Sequence, residues 1–537
     1  MNPESYLRHV DGLRAVAVLS VLAYHLRVPH AGGGYVGVDV FFVISGYLIT
    51  RLIVNELRRT GDFSFRRFYL RRIRRLFPAL FTTLTLTTCA AYLLYSPQYF
   101  QNYGKELIAT TLSFSNILFW IQSNYFAQAS ELKVLLHTWS LSVEEQFYLV
   151  WPALIVLATF RRRASRLWAM FVALGIASFI AIAPFARGNV GWLIGLLPWA
   201  ADQLADGRTT VFYLTPFRVF EFSIGALVVG AGARLPTSRL MHEALMGSGI
   251  IMILLAVVLY TDRIFFPYFT ALLPCIGAAM IIVATRAGIV GSLLTNRVAV
   301  GIGLISYSLY LVHWPIIVLY RYYKIIEFSG IERAWIALSS VALAWLMYFF
   351  VETRFRHPRA AGTQGATSDN RKFLTACASA AICACLLGGS AWAADGWAWR
   401  KPGALTPGMI EAGMQRRLIY VKDACRVVGI RDASACHSER PLQVLVLGNS
   451  HETDGYNAFY ELYGSNPDVN LISFGTVNLC NIRFTPDGTP VSDTPAHQCD
   501  RRVAALADRK FLERLDVVVY SANIPFAKDK ISDWQLL

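Results

Sequence analysis

Charged residues are scarce in this chain of 537 residues. They make up 16% of it, against about 25% in soluble proteins, while 55% of residues are hydrophobic and the mean hydropathy is +0.43. That deficit excludes a single soluble globule and predicts a polytopic membrane protein with a less hydrophobic tail. The N-terminus lacks a basic stretch ahead of a short apolar core and a small-residue cleavage site. No cleavable signal peptide is therefore expected, and the first apolar segment stays as a helix. Cys-x-x-Cys spacing is absent, which argues against a metal site. GGGYVGVD at 32–39 lacks the Gly-Lys-Ser/Thr ending of a phosphate loop and has no soluble strand before it. It reads as a flexible outer hairpin between the first two spans, with Asp39 a candidate member of an internal polar cavity.

The net charge of +15 would suit a nucleic-acid partner only if it were spread over a soluble surface. Instead it is concentrated between apolar segments: RRFYLRRIRR at 66–75, RRRASR at 161–166 and RFRHPR at 354–359. Such clusters set membrane orientation and meet anionic headgroups, so no nucleic-acid partner is expected. Twelve apolar stretches begin near residues 10, 34, 76, 104, 139, 166, 211, 242, 267, 299, 332 and 372. The stretch at 104–125 is interrupted by Lys, Glu, Ser, Asn and Gln. If it lies in the interface, or dips in and returns, every basic cluster falls on the cytoplasmic side. That gives ten spans to about residue 351 and an eleventh at 372–394. The N-terminus is then cytoplasmic and the segment from about 395 extracytoplasmic.

Polar groups inside those spans are costly, and chains that keep them usually use them. Arg14 and His25 lie eleven residues apart in the first span, about three helical turns, hence on nearly one face and roughly 16 Å apart. Snorkelling of both ends to the headgroups is the structural alternative. LLHTWSLSVEEQFYLVWP contains His137, Ser140, Glu144 and Glu145, and ISYSLYLVHWP contains Ser306, Tyr307, His313 and Trp314. Together they suggest an internal polar cavity. Arg218 and Glu221, spaced i, i+3, read as a structural ion pair.

Six segments in order (DGLRAVAVLSVLAYH, GYVGVDVFFVISGYLIT, FYLRRIRRLFPAL, HTWSLSVEEQFYLVWP, RVFEFSIGAL and ISYSLYLVHWP) closely resemble the bacterial integral-membrane acyltransferase family three, over roughly residues 5–355. The resemblance implies transfer of an acyl group, commonly acetyl, from cytoplasmic acyl-CoA to an extracytoplasmic carbohydrate. It carries the family's R-x10-H pattern onto Arg14 and His25, and its R-x-R element onto Arg72 and Arg74. Its His-x-W-S-L segment falls on His137, Trp139, Ser140, Glu144 or Glu145, and Gln146. The residue chemistry agrees. His25 suits a general base or a transient acyl carrier. Arg14 sits toward the donor side, and Arg71, Arg72 and Arg74 offer forks for the phosphates of acetyl-CoA.

Five of the nine cysteines, Cys89, Cys275, Cys377, Cys383 and Cys385, lie in apolar spans. The other four, Cys425, Cys436, Cys480 and Cys499, are an even number in a segment placed in an oxidising compartment. Two disulfides are expected there, 425–436 with 480–499 being the simplest of three connectivities. PLQVLVL at 441–447 reads as a buried strand running into Gly448-Asn449-Ser450-His451. That turn resembles the first block of SGNH hydrolases, with Asn449 where Asp is usual, and makes Ser450 a second candidate nucleophile. DVVVYSANIPF at 516–526 reads as another strand, with Asn523 a turn residue or an oxyanion-hole donor. No Asp-x-x-His element follows Ser450, and 87 residues (537 − 450) are few for a full α/β domain. A truncated or inactive tail is expected.

The expected fold is thus membrane all-α: a ten-helix acyltransferase bundle (1–355), a linker with an eleventh helix (356–395), and a partial α/β SGNH-like periplasmic domain (396–537). The expected activity is O-acetylation of an O-antigen, exopolysaccharide or lipid-linked glycan at the inner membrane, with acetyl-CoA as donor and no metal. A transporter or flippase, or a degenerate glycan-binding protein, are the competing classes.

Overall fold

The computed structural model describes residues 7–122, 130–159, 164–197, 200–231, 238–324, 328–356 and 363–404. Beyond these it describes 406–409, 412, 420, 424–426, 439–448, 452–474, 482–484, 490–492, 504 and 506–521. The chain divides into two compact units at Ala404/Leu405.

The first unit is helical: α1 (Arg8–His25), α2 (Gly37–Thr60), α3 (Phe65–Leu94), α4 (Pro97–Thr111), α5 (Ser115–Ile121), α6 (Thr138–Thr159) and α7 (Ala164–Ala181). It continues with α8 (Val219–Ala231), α9 (Arg239–Leu259), α10 (Phe269–Val283), α11 (Arg297–Lys324), α12 (Gly330–Met347) and α13 (Thr363–Ala393). Eight of the described helices are long and apolar enough to cross a membrane, and α8 and α10 are shorter apolar helices. Large apolar side chains such as Leu157, Ile180, Leu254, Trp335, Phe350 and Leu386 stay exposed, as a lipid-facing surface requires. The chain is a multi-pass membrane protein.

Local chemistry sets several helix ends. Ser64 accepts from the Arg67 N–H to start α3, and Ser329 with Glu332 forms a reciprocal capping box at α12. Gly61, at φ 74°, closes α2 in the left-handed conformation.

The interrupted stretch, described as far as Gln122, folds as a helical hairpin of α4 and α5. The amide of Ser96, just before α4, is bonded to the Tyr322 hydroxyl near the end of α11 (3.0 Å). The hairpin tip reaches halfway down α6, where the Gln146 amide donates to the Ser113 carbonyl (3.0 Å) and Ser113 donates to Glu145. α5 then climbs back, and the Lys133 ammonium is bonded to the Gln122 carbonyl (3.2 Å). Ser and Gln side chains bond the tip, while Thr111 Oγ1 and Glu145 Oε1 stay buried without a partner among the described residues.

Helix α1 lies directly against α11. A Cβ on Gly303 would fall 1.9 Å from the Asp11 carbonyl oxygen, so no larger residue permits this approach. The 32–39 segment is not a free outer hairpin. It descends along α1, where a Cβ on Gly37 would lie 2.2 Å from the Ala17 carbonyl oxygen. Packing, not mobility, explains its glycines.

Helix α13 belongs to this unit. Gly104 of α4 and Gly388 of α13 meet backbone to backbone, and Gln101 bonds the Trp392 carbonyl (3.1 Å). Arg400 and Lys401 donate to carbonyls at the end of α3, so residues 396–401 pack on the bundle and the boundary falls after the expected 395.

In the second unit β1 (Cys425–Arg426), β2 (Leu442–Gly448), β3 (Val469–Ser473) and β6 (Val517–Ser521) form a parallel sheet in the order β1-β3-β2-β6. Leu445 pairs in register with Ile472 and Val518. Between them β4 (Ile482–Phe484) and β5 (Pro490–Ser492) make an antiparallel pair. β2 bears out the buried strand read at 441–447, and helix α14 (Glu452–Tyr463) comes after it in the chain. Cys425 is disulfide-bonded, and the five span cysteines are free. Cys436, Cys480 and Cys499, and the candidates Ser450 and Asn523, lie outside the described residues.

Gly303→Ile should push α1 off α11 and cost about 1–3 kcal/mol or more. Gly330→Ala, where nothing lies within 4 Å of the new Cβ, should be neutral. Thermal unfolding of the two variants in detergent checks the contrast.

Candidate functional site

Two cavities meet at Arg14, Leu48 and Arg75. The inner one, about 90 Å³ in volume, is walled by α1, α2, α3, α6 and α11, with Ser45, Arg72, Ser140, Glu144 and Tyr307 on its surface. The outer one is a funnel opening at the arginine-rich end, edged by Arg51, Arg59, Arg67, Arg71 and Arg356. Low-dielectric walls around this much positive charge focus a field on any anion that enters.

How each arginine is partnered separates structural from available charge. Arg14 holds Asp11, one turn earlier on α1 (2.7 Å). Arg74 points away from both cavities. Its Nη2 donates to Asp369 and Asn370 of α13 (2.8 Å each), and its guanidinium stacks 4.5 Å from the Phe373 ring. That corrects its expected place in the donor site: at 100° per residue it stands about 160° round the helix from Arg72. Arg71 pairs with Glu56 (3.3 Å) at the funnel wall. Arg72 lies over the Phe68 and Tyr148 rings (5.6 Å each), and its buried Nε has no partner. Among the described residues neither Arg72 nor Arg75 has an acidic partner. Arg75, not singled out from sequence, borders both cavities; its i, i+4 relation to Arg71 and i, i+3 relation to Arg72 was the available signal.

The two adjacent acids part company. Glu144 faces the inner cavity and accepts from the Ser45 and Tyr148 hydroxyls. Glu145 turns to Ser113 at the hairpin tip. Tyr307 donates to the Leu76 carbonyl (3.0 Å) and lines the cavity.

Tyr310 closes the inner end. Its hydroxyl is 2.6 Å from Ser140 Oγ and donates to the His137 carbonyl (2.9 Å). Behind it three imidazoles converge from three elements. His25 Nδ1 lies 2.9 Å from His313 Nε2, with the ring centroids 5.1 Å apart and the ring planes within 15° of each other. The His137 and His313 rings are 5.8 Å apart, and both lie within 5.7 Å of the Tyr310 ring. Trp314 packs 4.5 Å from His25 and donates its indole N–H to the Lys133 carbonyl (2.8 Å). The Leu135 amide is held by Glu106 of α4 (2.9 Å). The re-entrant hairpin therefore fixes the loop that delivers His137. No group of His, Cys, Asp and Glu suited to a metal ion occurs among the described residues.

Asp39 stands outside this cavity, in a second polar cluster. Arg218 Nη1 donates to Asp39 and to Glu221 (2.9 Å each) and is caged by the Trp139, Phe212 and Phe266 rings. The i, i+3 pair read from sequence is present, joined by a third member from α2.

An acyltransferase-domain family model matches residues 7–397. The chain is 30% identical over 367 residues to the peptidoglycan O-acetyltransferase OatA of Listeria monocytogenes, covering 65% of this chain and 56% of that one. It is 31% identical over 365 residues to the O-acetyltransferase OatA of Staphylococcus aureus, covering 66% and 58%. The chain thus spans little more than half the length of the curated relatives it matches. No solved structure matches it.

Arg218→Leu leaves two carboxyl groups buried without their cation, and should destabilise the bundle by about 3–5 kcal/mol. Differential scanning fluorimetry of the purified variant reads this as a large fall in Tm.

Proposed function

The chain belongs to the integral-membrane acyltransferase family three, and from that premise we propose that it moves an acetyl group from acetyl-CoA to a hydroxyl of an extracytoplasmic cell-envelope glycan. The observation that carries the reading is the axis running from Arg72 and Arg75, neither ion-paired among the described residues, through the inner cavity, to His25 behind Tyr310. The arginine-rich end faces the cytoplasm in this reading, as the positive-inside rule prefers. Bilayer placement at the inner membrane follows for a cell with an outer one.

The donor's phosphates fit the funnel because Arg75, which has no ion pair among the described residues, borders it beside Arg51 and Arg67. The thioester end then reaches the inner cavity. The Tyr310 ring separates that cavity from the histidines, so transfer requires it to swing aside. At the opposite end His25 Nε2 takes the proton of the acceptor hydroxyl as its oxygen attacks the thioester carbonyl. The new C–O bond forms, the C–S bond breaks, and His25 Nε2 passes the proton it took to the departing thiolate, which leaves as the thiol. Arg14 lies along the path and is oriented by Asp11.

The peptidoglycan O-acetyltransferase among the relatives makes peptidoglycan the first acceptor to test, ahead of an O-antigen or exopolysaccharide repeat. The parallel sheet after Ala404, with Ser450 following β2, suits a glycan-facing SGNH-like module that receives or positions the acceptor. The bundle holds the more complete chemistry.

With purified full-length chain, radiolabelled acetyl-CoA and either peptidoglycan fragments or lipid-linked polysaccharide, label should appear on the glycan. His25→Ala should reduce the rate by about 10²–10⁴-fold. Glycan translocation without transfer of label would refute the enzymatic reading. Arg72→Ala and Arg75→Ala should each raise the donor KM roughly tenfold or more. Arg74→Ala should leave that KM unchanged and lower Tm, by freeing α13.

A further inference from the structure

The hydrogen bonds of the histidine cluster decide which nitrogen carries each proton. His313 Nδ1 lies 3.0 Å from the Leu309 carbonyl, one turn earlier on α11. A carbonyl only accepts, so His313 Nδ1 must carry a hydrogen. In the neutral ring its Nε2 is then a lone pair. That lone pair faces His25 Nδ1 at 2.9 Å, so His25 Nδ1 is the donor. His25 is thereby held with its proton on Nδ1 and its lone pair on Nε2. The Nε2 atom makes no hydrogen bond among the described residues. His313 is 1% exposed and anchored in the middle of α11, so its own ring is fixed by the protein.

We infer that His313 is a positioning residue for the acyl transfer: it pins the tautomer and ring plane of His25 through the chain Leu309 carbonyl, His313, His25. The inference rests on the function proposed above. The logic is that of an imidazole base oriented by a second group at its far nitrogen. The orienting group here is a neutral imidazole instead of a carboxylate, which suits a site at membrane depth where a fixed negative charge would be expensive. Trp314, the next residue on α11, packs against the same ring and resists its rotation. His137 is not in this chain of bonds. Its Nε2 donates to the Leu311 carbonyl (3.1 Å) and its Nδ1 is buried without a partner.

Two substitutions separate positioning from packing. In His313→Gln the side-chain oxygen reaches the former Nε2 position and can accept from His25. In His313→Asn the amide stops near the former Nδ1 position, keeps its polarity and its contact with Leu309, and cannot reach His25. His313→Asn should lower kcat by about 10²-fold with the acetyl-CoA KM unchanged, and His313→Gln should stay within about tenfold of the parent. Equal kcat for the two variants at matched Tm would overturn the proposal.

A second readout does not depend on turnover. Diethyl pyrocarbonate acylates imidazole nitrogens that carry a lone pair, and peptide mass spectrometry follows the modification of His25 in the full-length chain. His25 should react several-fold more slowly in His313→Asn than in the parent or in His313→Gln. Identical rates in all three would refute the positioning role. If the parent transfers no acetyl group while the modification rates still differ, the acyltransferase reading fails and the tautomer assignment stands.

Discussion

A guanidinium at membrane depth has to be answered by negative charge or by aromatic faces, and the ways this is done organise the helical unit. Arg218 is answered twice, by Asp39 and Glu221, and is boxed by three rings. Arg74 is answered from α13, and Arg14 from its own helix. Each pair ties one element to another or fixes a rotamer, at a desolvation cost that only good geometry offsets. Arg72 is met only by the Phe68 and Tyr148 rings, and Arg75 by neither a ring nor an ion pair among the described residues. Both border the inner cavity without an ion-paired acid, and this uncompensated charge is what points to an anionic ligand.

The same economy governs backbone. α4 and α5 bend back at mid-depth only because Ser113, Ser115, Ser142, Glu145 and Gln146 satisfy the turn. In return the hairpin holds Leu135 through Glu106 and so sets the height of His137. The approach of α1 to α11, possible only at glycine, brings His25 within bonding distance of His313, 288 residues away in sequence. Removing either packing device would move the histidines before it unfolded the bundle.

Much of the site was legible as residue type and little of it as direction. Arg14 and His25 were found from a spacing of eleven, because helical periodicity alone places two side chains on one face. The Arg218–Glu221 pair followed from i, i+3 spacing in the same way. Glu144 and Glu145 could not be told apart, since adjacent residues stand 100° apart and only the neighbours reveal which side is the cavity. Arg74 was placed with Arg72 although it faces α13, and Arg75 was passed over although it faces the funnel. The glycine segment at 32–39 was read as mobile because a composition rich in glycine has two causes, freedom and close approach, which one sequence does not separate.

What the sequence determined by itself was the class of molecule, a multi-pass helical membrane protein, and the side chains too costly to be idle there. Those follow from transfer energies and local periodicity, which need no partner. Tertiary structure decided which arginines keep a free fork, which glutamate meets the cavity, and which nitrogen of His25 bears its proton. Each of those depends on an atom supplied by a distant segment: Asp369 for Arg74, Ser45 for Glu144, and His313 with the Leu309 carbonyl for His25. Hydrogen bonds are directional and short, so their partners exist only once the helices have packed.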